Sequence, residues 1–454
     1  MNGNLVLKNS DYFEEKVFFV ANKTIKVENE VVKELKEGAE DLDIVKIGVD
    51  VPGLVSMINE NNIRMYDDEE YTMIDVIKSV IESRASLSSF FLLDIGAIFR
   101  KYKLWMRHMP NVKMFYAVKC NSDKLLLGTL VDLGVGFDVA SKVEISTVRE
   151  LDVDPDKMIF ANPVKEINHI TFAEGEGIKK LTFDNVDELK KISVFHPNAE
   201  LVLRILVDDS KSRMPFGTKF GCPTSNLPEV FDLAKTLGLN IIGVSFHVGS
   251  ECESSSAYTD AIALAREVFN TAKTYGFEMR LLDIGGGFPG HDSPELEDKF
   301  IEIANAINGQ LALSFSDIPD VEVIAEPGRF FATSCGTLVT NVIGRKIIIN
   351  SDSEKIIHYY INSNLYGVFN NIVFDKATPH FELRKPVAEN EPLYKSVIFG
   401  QTCDSMDKIA DGIMLPELVC GNWLIIRNHG AYTIAAASKF NGFELEDVNY
   451  VFTF

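Results

Sequence analysis

Between about residue 95 and residue 333 the chain alternates two hydrophobic patterns. Short apolar runs rich in β-branched and aromatic residues recur eight times, as KMFYAVK, VGFDVA, KMIFAN, KKLTFD, LVLRIL, IIGVSFHVG, RLLDIGGG and VEVIAEPG. Most are followed by a stretch with helical spacing, such as VDELKKISVF or PEVFDLAKTLG. Runs that stay apolar at consecutive positions suit strands covered on both faces, and strand and helix in alternation build a parallel sheet. Eight such units match the count and size of a (β/α)8 barrel, so the fold class expected is α/β. From Cys335 onward the pattern changes. GTLVTNVIGRKIII, KIIHYYIN, SVIFG, NWLIIR and VNYVFTF are separated by turns and carry little helical periodicity, which predicts a β-rich, sandwich-like or barrel-like C-terminal domain. Near the start, VENEVVKELKEGAEDLD sets Val27, Val31, Val32 and Leu35 at helical spacing among many acids, predicting a short acidic amphipathic helix of unknown role. The division expected is 1–60 as an acidic extension, 61–94 as a strand and helix segment joining the β domain, 95–333 as the barrel and 334–454 as the β-rich domain.

Composition excludes some functions. With 454 residues and 46% hydrophobic content the chain can bury a large core in more than one domain. A net charge of -21 is the opposite of what nucleic acid or an anionic membrane attracts, so neither is expected as a partner. The start, MNGNLVLKNSDYFEEK, has no basic region ahead of an apolar run, and no apolar stretch is long enough to span a bilayer, so a cytoplasmic protein is expected. The six cysteines, Cys120, Cys222, Cys252, Cys335, Cys403 and Cys420, form no CxxC pair, which points to neither a metal site nor a disulfide framework.

In a barrel of this kind the chemistry gathers at the carboxyl ends of the strands. Lys119 in FYAVKCN stands there, although alone it reads as a lysine whose stem packs and whose ammonium reaches solvent or a carboxylate. Asp138, Arg204, His247, Gly285, Gly286, Gly287 and the run Glu326-Pro327-Gly328-Arg329 fall at the same end. Singly, His247 reads as a core histidine, Arg204 as a buried arginine paired with a carboxylate, and the glycines as a turn. Together they supply what pyridoxal phosphate needs: an amine for a Schiff base, a phosphate cradle from the glycines with Arg329, a carboxylate for the pyridine nitrogen in Glu326, and His247 against the ring. The rival reading of the glycine run, a dinucleotide site, fails because GGGFPG lacks the GxGxxG spacing.

FYAVKCN, GFDVAS, DDSK, SFHVGS, LLDIGGGFPG, AEPGRF, TCDSMD and GAYTIAAASKFNGF, in that order, resemble the motifs of the eukaryotic ornithine decarboxylase family of fold type III pyridoxal-phosphate enzymes, from about residue 88 to the end. The resemblance implies a barrel plus a β domain, and a head-to-tail homodimer with two shared active sites. It implies catalytic roles for Lys119 as the Schiff-base lysine and for His247, Glu326 and Cys403. Asp138 and Arg204 would stand near the lysine, and Ser250, Gly287, Arg329 and Tyr432 would bind the phosphate, with Gly285, Gly286 and Gly328 in the same cofactor set. Across the interface the family brings Cys403 and Asp404, with Phe440 close by and Tyr366 in the substrate set. Lys219 and Asp407 would pair between chains.

The reaction implied is decarboxylation of L-ornithine to putrescine and carbon dioxide, a step of polyamine synthesis, with Cys403 of the partner returning a proton to the α-carbon. The distal amine would lie between Asp375 and the partner chain's equivalent of Asp404; two carboxylates in a closed site favour an ammonium and reject an apolar side chain. Two alternatives stay open: the same chemistry on lysine or arginine, and a non-catalytic homologue of the antizyme-inhibitor kind, which keeps the fold and binds antizyme. Antizyme as a partner is not readable from the residues. The chain departs from the family pattern at Phe374, Gln401, His429, Ser363 and Asn364, and Phe374 and Gln401 are expected beside the substrate pocket.

Overall fold

The computed structural model describes residues 54–454 except 62, 319 and 386. The acidic helix expected around Val27 to Leu35 lies outside the described residues. The described chain divides into two compact units, one carrying residues 97–334 and the other residues 55–96 with 335–454.

The first unit is the barrel. Its strands are Val112–Ala117, Gly136–Val139, Met158–Phe160, Lys180–Phe183, Glu200–Arg204, Asn240–Ser245, Leu281–Asp283 and Glu322–Ala325. They pair in that order, all parallel, and the eighth returns to the first through Val323 opposite Val112 and Ala325 opposite Met114, which closes the barrel. Each expected run therefore became one strand. Six strands contribute one residue each to an interior cluster, Phe115, Ile159, Val202, Ile242, Leu281 and Ile324. Each such apolar side chain removed from water stabilises the fold by about 1.5–3 kcal/mol. The apolar floor leaves the polar residues of the strand ends gathered above it at the mouth. A short antiparallel ribbon was not foreseen: Ser212–Met214 pairs with Ser250–Cys252. Its strands are three residues long and have no run of apolar positions to announce them.

Beyond the third and fourth strands the chain buries an ion pair, Lys165 with Glu188, and sets the half-buried Lys191 beside it. Glu188 lies 3.0 Å from Lys165 Nζ and 2.5 Å from Lys191 Nζ, with Glu188 1% exposed and Lys165 fully enclosed. Lys165 also donates to the carbonyls of Asn162 (3.0 Å) and Thr182 (2.6 Å), which ties the loop after the third strand to the fourth strand.

The second unit is β-rich, as the turn-separated runs predict. Its sheet orders Arg64–Tyr66, Asp447–Thr453, Phe90–Asp94, Gly336–Ile349, Lys355–Ile361, Tyr394–Phe399 and Lys408–Leu415, while Trp423–Ile426 pairs with Gly336–Ile349 and in turn with Glu382–Leu383. The strand Gly336–Ile349 carries two sets of neighbours. Its first residues pair with Phe90–Asp94 and Trp423–Ile426, and after a register shift between Val342 and Gly344 it pairs with Lys355–Ile361. A bulge of this kind bends a strand so that it serves two faces, and the unit has two apolar clusters, one around Leu338, Tyr359 and Ile398 and one around Val76, Phe90 and Val339. Among the described residues no helix is long and apolar enough to cross a membrane.

Candidate active site

The mouth of the barrel is assembled from consecutive strand ends. The strand Val112–Ala117 gives way to a single tight turn, Val118–Cys120, and Asp123 then caps the next helix by accepting from the amides of Leu125 (3.0 Å) and Leu126 (3.1 Å). That break holds Lys119 at the rim. Register sets Ala117 opposite Asp138, so the lysine two residues on reaches back to the fully buried Asp138, and Lys119 Nζ donates to Asp138 Oδ2. Glu144 lies near enough to feel the charges of Lys119 and Asp138. Ser141 caps its helix through the Glu144 amide (3.2 Å), Glu144 Oε2 accepts from Ala140 N (2.6 Å), and burial raises its carboxyl above the ordinary range.

Across the barrel stand Arg204, His247, Asp283 and Glu326. The Arg204 guanidinium lies 5.3 Å over the Phe220 ring. His247 Nδ1 accepts from Gly249 N (3.0 Å), which leaves the imidazole proton on Nε2, and its ring meets Phe216 edge-on with 5.0 Å between centroids. Burial, then the charges of Arg204 and Lys119, hold His247 well below its ordinary range, so it is neutral. Asp283 Oδ1 accepts from Gly285 N (2.9 Å), and burial pushes the Asp283 carboxyl up to about 7. Glu326 hydrogen-bonds to Asp283 and is raised well above the ordinary carboxylate range by burial and then by the Asp283 and Asp138 charges. Two facing carboxyls that cannot both ionise cheaply keep a proton between them until a cation arrives.

Beside them lies a cradle made of backbone. Gly285 has φ +65° and Gly287 +101°, where a side chain is strained. A Cβ on Gly286 would come within 2.7 Å of Glu326 O and 3.1 Å of His247 Nε2, and one on Gly287 within 2.5 Å of Gly249 O. Gly328 permits equally close packing on the lysine turn, since a Cβ there would meet Cys120 and Ala117 side chains at 3.0 and 3.1 Å. Arg329 is buried at this edge and donates from Nε (3.3 Å) and Nη2 (3.2 Å) to Ser250 Oγ. This donor set fits pyridoxal phosphate: an amine, a glycine-walled anion cradle with a guanidinium, and a carboxyl pair suited to a pyridinium proton. Asp138 Oδ1, buried and without a hydrogen-bond partner among the described residues, is an acceptor left for such a group. Metal chemistry has no comparable cluster, since no group of three or more His, Cys, Asp and Glu among the described residues could hold an ion.

The second unit carries the remaining residues, and brings Tyr366, Asp404 and Phe440 together. Tyr366 donates to Asp404 Oδ2 and stacks on Phe440 with 4.2 Å between ring centroids. The Met406 amide, and then the Tyr366 hydroxyl, hold the Asp404 carboxyl below its ordinary range. Cys403 is exposed beside them, its Sγ 3.5 Å from Asn441 Oδ1. Asp375 ends the short helix Asn371–Phe374 and is buried, although it opens a polar stretch of sequence. Tyr432 is held at φ +54°. Asp407, expected to meet Lys219 of a second chain, is 1% exposed and accepts within its own unit from Leu365 N (2.7 Å), Thr402 N (3.0 Å) and Thr402 Oγ1 (2.7 Å). Of the departures from the family pattern, His429 is buried as a neutral ring donating to Val368 O (3.1 Å), and Phe374 is exposed.

Sequence reasoning missed Asp283, Glu144 and Glu251, the last lying 3.6 Å from Arg329 Nη1 and 2.5 Å from Arg213 Nη1. A signal existed for Glu144, because Ser141 followed three residues later by a glutamate has the spacing of a capping box. None existed for the other two, whose importance comes from what lies opposite them.

A family model described as the pyridoxal-dependent decarboxylase pyridoxal binding domain matches residues 95–333. The chain is 45% identical over 393 residues to antizyme inhibitor 2 of Xenopus laevis, covering 84% of this chain and 86% of that protein. It is 41% identical over 396 residues to ornithine decarboxylase of Rattus norvegicus, covering 85% and 86%. Among solved structures, the Paramecium bursaria Chlorella virus arginine decarboxylase matches with a TM-score of 0.79 and 36% identity, over 84% of this chain and 100% of that one. The chain thus belongs to the pyridoxal-dependent decarboxylase family, of the eukaryotic ornithine decarboxylase type.

Proposed function

We propose that this chain decarboxylates L-ornithine to putrescine and carbon dioxide, with pyridoxal phosphate at the barrel mouth. When bound, the cofactor supplies an electron sink for the pair released as the bond from the α-carbon to the carboxylate breaks. Lys119, oriented by Asp138, is the amine that anchors the cofactor and yields it to substrate. Ser250, Gly287 and Arg329, with Tyr432, hold its phosphate, while Gly285, Gly286 and Gly328 let the backbone approach. Arg204 sets a positive charge beside the carboxyls, and neutral His247 packs against the ring without adding one. Glu326, backed by Asp283, holds the proton at the pyridine nitrogen. Asp375 and Asp404 bind the distal ammonium, with Tyr366 and Phe440 shaping the same surface. Cys403 Sγ carries the proton that replaces the lost carboxylate. In this reading Cys403 and Asp404 come from a second copy of the chain, so the enzyme is a homodimer with shared sites. A cytoplasmic setting goes with it, where a thiol such as Cys403 stays reduced.

The observation that carries the reading is the Lys119–Asp138 ion pair at the rim together with the buried, facing Glu326 and Asp283 carboxyls and the Arg329–Ser250 edge. These groups have no common structural purpose, whereas one cofactor uses them all. The 45% identity to an antizyme inhibitor favours a second reading, a non-catalytic homologue that binds antizyme. Retention of Lys119, Asp138, Arg204, Ser250, Glu326 and Cys403 together weighs against it.

The test is to titrate purified protein with pyridoxal phosphate, follow the visible absorption of the bound cofactor, and assay carbon dioxide release from ornithine, lysine and arginine side by side. Bound cofactor with turnover highest on ornithine is expected. Highest turnover on lysine or arginine moves the substrate, and no bound cofactor with no release on any substrate overturns the enzyme reading in favour of the second.

A further inference from the structure

The ribbon beside the phosphate cradle carries a group that this reading leaves unused. Its register, Ser250 opposite Met214 and Cys252 opposite Ser212, sets Glu251 against Arg213, and Arg213 Nη1 lies 2.5 Å from Glu251 Oε2. The other carboxylate oxygen lies 3.6 Å from Arg329 Nη1 and 3.7 Å from His291 Nδ1. The guanidinium assigned to the phosphate therefore already faces an anion. Glu251 keeps this place at φ +53°, a conformation costly to a residue with a Cβ, while Gly249 and Gly287 reach their positive φ of +88° and +101° as glycines. Arg329 is 6% exposed, so the two anions would meet where solvent screens them poorly.

We propose that Glu251 sets the affinity of the chain for the cofactor phosphate by competing with it for Arg329, and that Arg213 moderates the competition by drawing the carboxylate toward itself. The inference rests on the reading that pyridoxal phosphate binds at Ser250, Gly287 and Arg329. Its consequence is a cofactor held less tightly than the cradle alone would hold it, which makes loading dependent on cofactor concentration.

The experiment strips the full-length protein of cofactor and measures Kd for pyridoxal phosphate and for pyridoxal, which lacks the phosphate. Glu251→Gln is expected to lower Kd for pyridoxal phosphate about tenfold or more, as relief of like-charge contact in a poorly solvated site should, and to leave Kd for pyridoxal nearly unchanged. Arg213→Gln should raise Kd for pyridoxal phosphate, and should raise it less when Glu251→Gln is also present. Glu251→Gly, which suits the left-handed backbone, carries the same expectation if the glutamine variant fails to fold by circular dichroism. Unchanged or weaker binding of pyridoxal phosphate by variants that fold overturns the inference, and so does equal tightening of both ligands. Cofactor binding by neither parent nor variants overturns the cofactor reading as well, whereas binding by the parent with an unchanged Kd in the variants overturns this inference alone.

Discussion

Glu188→Gln removes the anion from between two ammonium groups without changing shape. Lys165 is fully enclosed, and burial, opposed by the Glu188 charge, already lowers it from 10.5 to about 8. Without the carboxylate it has two courses. It can stay charged against only the carbonyls of Asn162 and Thr182, at the cost of breaking a buried pair, about 3–5 kcal/mol. It can instead give up its proton, which from its folded value of about 8 costs about 1.4 kcal/mol at pH 7. The second route is the cheaper and sets the loss, which for a unit of this size amounts to roughly 3–6 °C in Tm. The sign with pH is determined too. A lysine whose folded value lies below its unfolded one is penalised fully below the folded value and not at all above the unfolded one. The gap between parent and variant should therefore narrow as pH rises from 7 toward 10.5. Urea denaturation and thermal melts at pH 7 and pH 10 measure it. No gap at pH 7, or one that widens with pH, would show that the reasoning from the buried charge is wrong. The double change Lys165→Met, Glu188→Leu should recover most of the loss, because apolar residues leave no buried charge to desolvate.

Lys119→Ala should abolish carbon dioxide release with the fold intact, and borohydride should attach the cofactor to Lys119 in the parent only; label on another lysine refutes the assignment. Glu326→Ala should cost on the order of a hundredfold in kcat with a smaller effect on cofactor Kd, and an unchanged kcat would reduce Glu326 to part of a turn. Because Asp283 is raised to about 7 in the folded state, the cofactor-free protein should lose stability as pH rises from about 4 through 7, and added pyridoxal phosphate should flatten that fall in urea melts at pH 5 and pH 8. A fall of the same size with the cofactor present would separate the carboxyl pair from the cofactor. Mixing Lys119→Ala with Cys403→Ala protein should restore about a quarter of parent activity if subunits exchange freely, and no recovery despite heterodimers seen by mass spectrometry would place Cys403 in its own chain's site.

The barrel was legible because each strand is covered on both faces and so writes itself as a continuous apolar run; eight runs became eight strands. Its mouth was legible for a related reason. A lysine at the end of FYAVK or an arginine at the end of LVLR interrupts an apolar run at the position where the chain leaves the sheet, and Lys119 and Arg204 stand at those ends. Lys408–Leu415 escaped notice because it is a strand by pairing with Tyr394–Phe399 rather than by pattern, its outer face being exposed.

Sequence alone determined which side chains stand at strand ends and which runs are buried, since period and apolar content are local properties of the chain. Tertiary structure decided their charge states and partners. The Asp283 and Glu326 carboxyls are raised because the seventh and eighth strands lie side by side and bury both. Tyr366 finds Asp404 across 38 residues, Asp407 accepts from Leu365 N across 42, and Glu251 matters through the ribbon register that sets it between Arg213 and Arg329. Electrostatic energy depends on distance and solvent exclusion, and neither exists until the chain has folded.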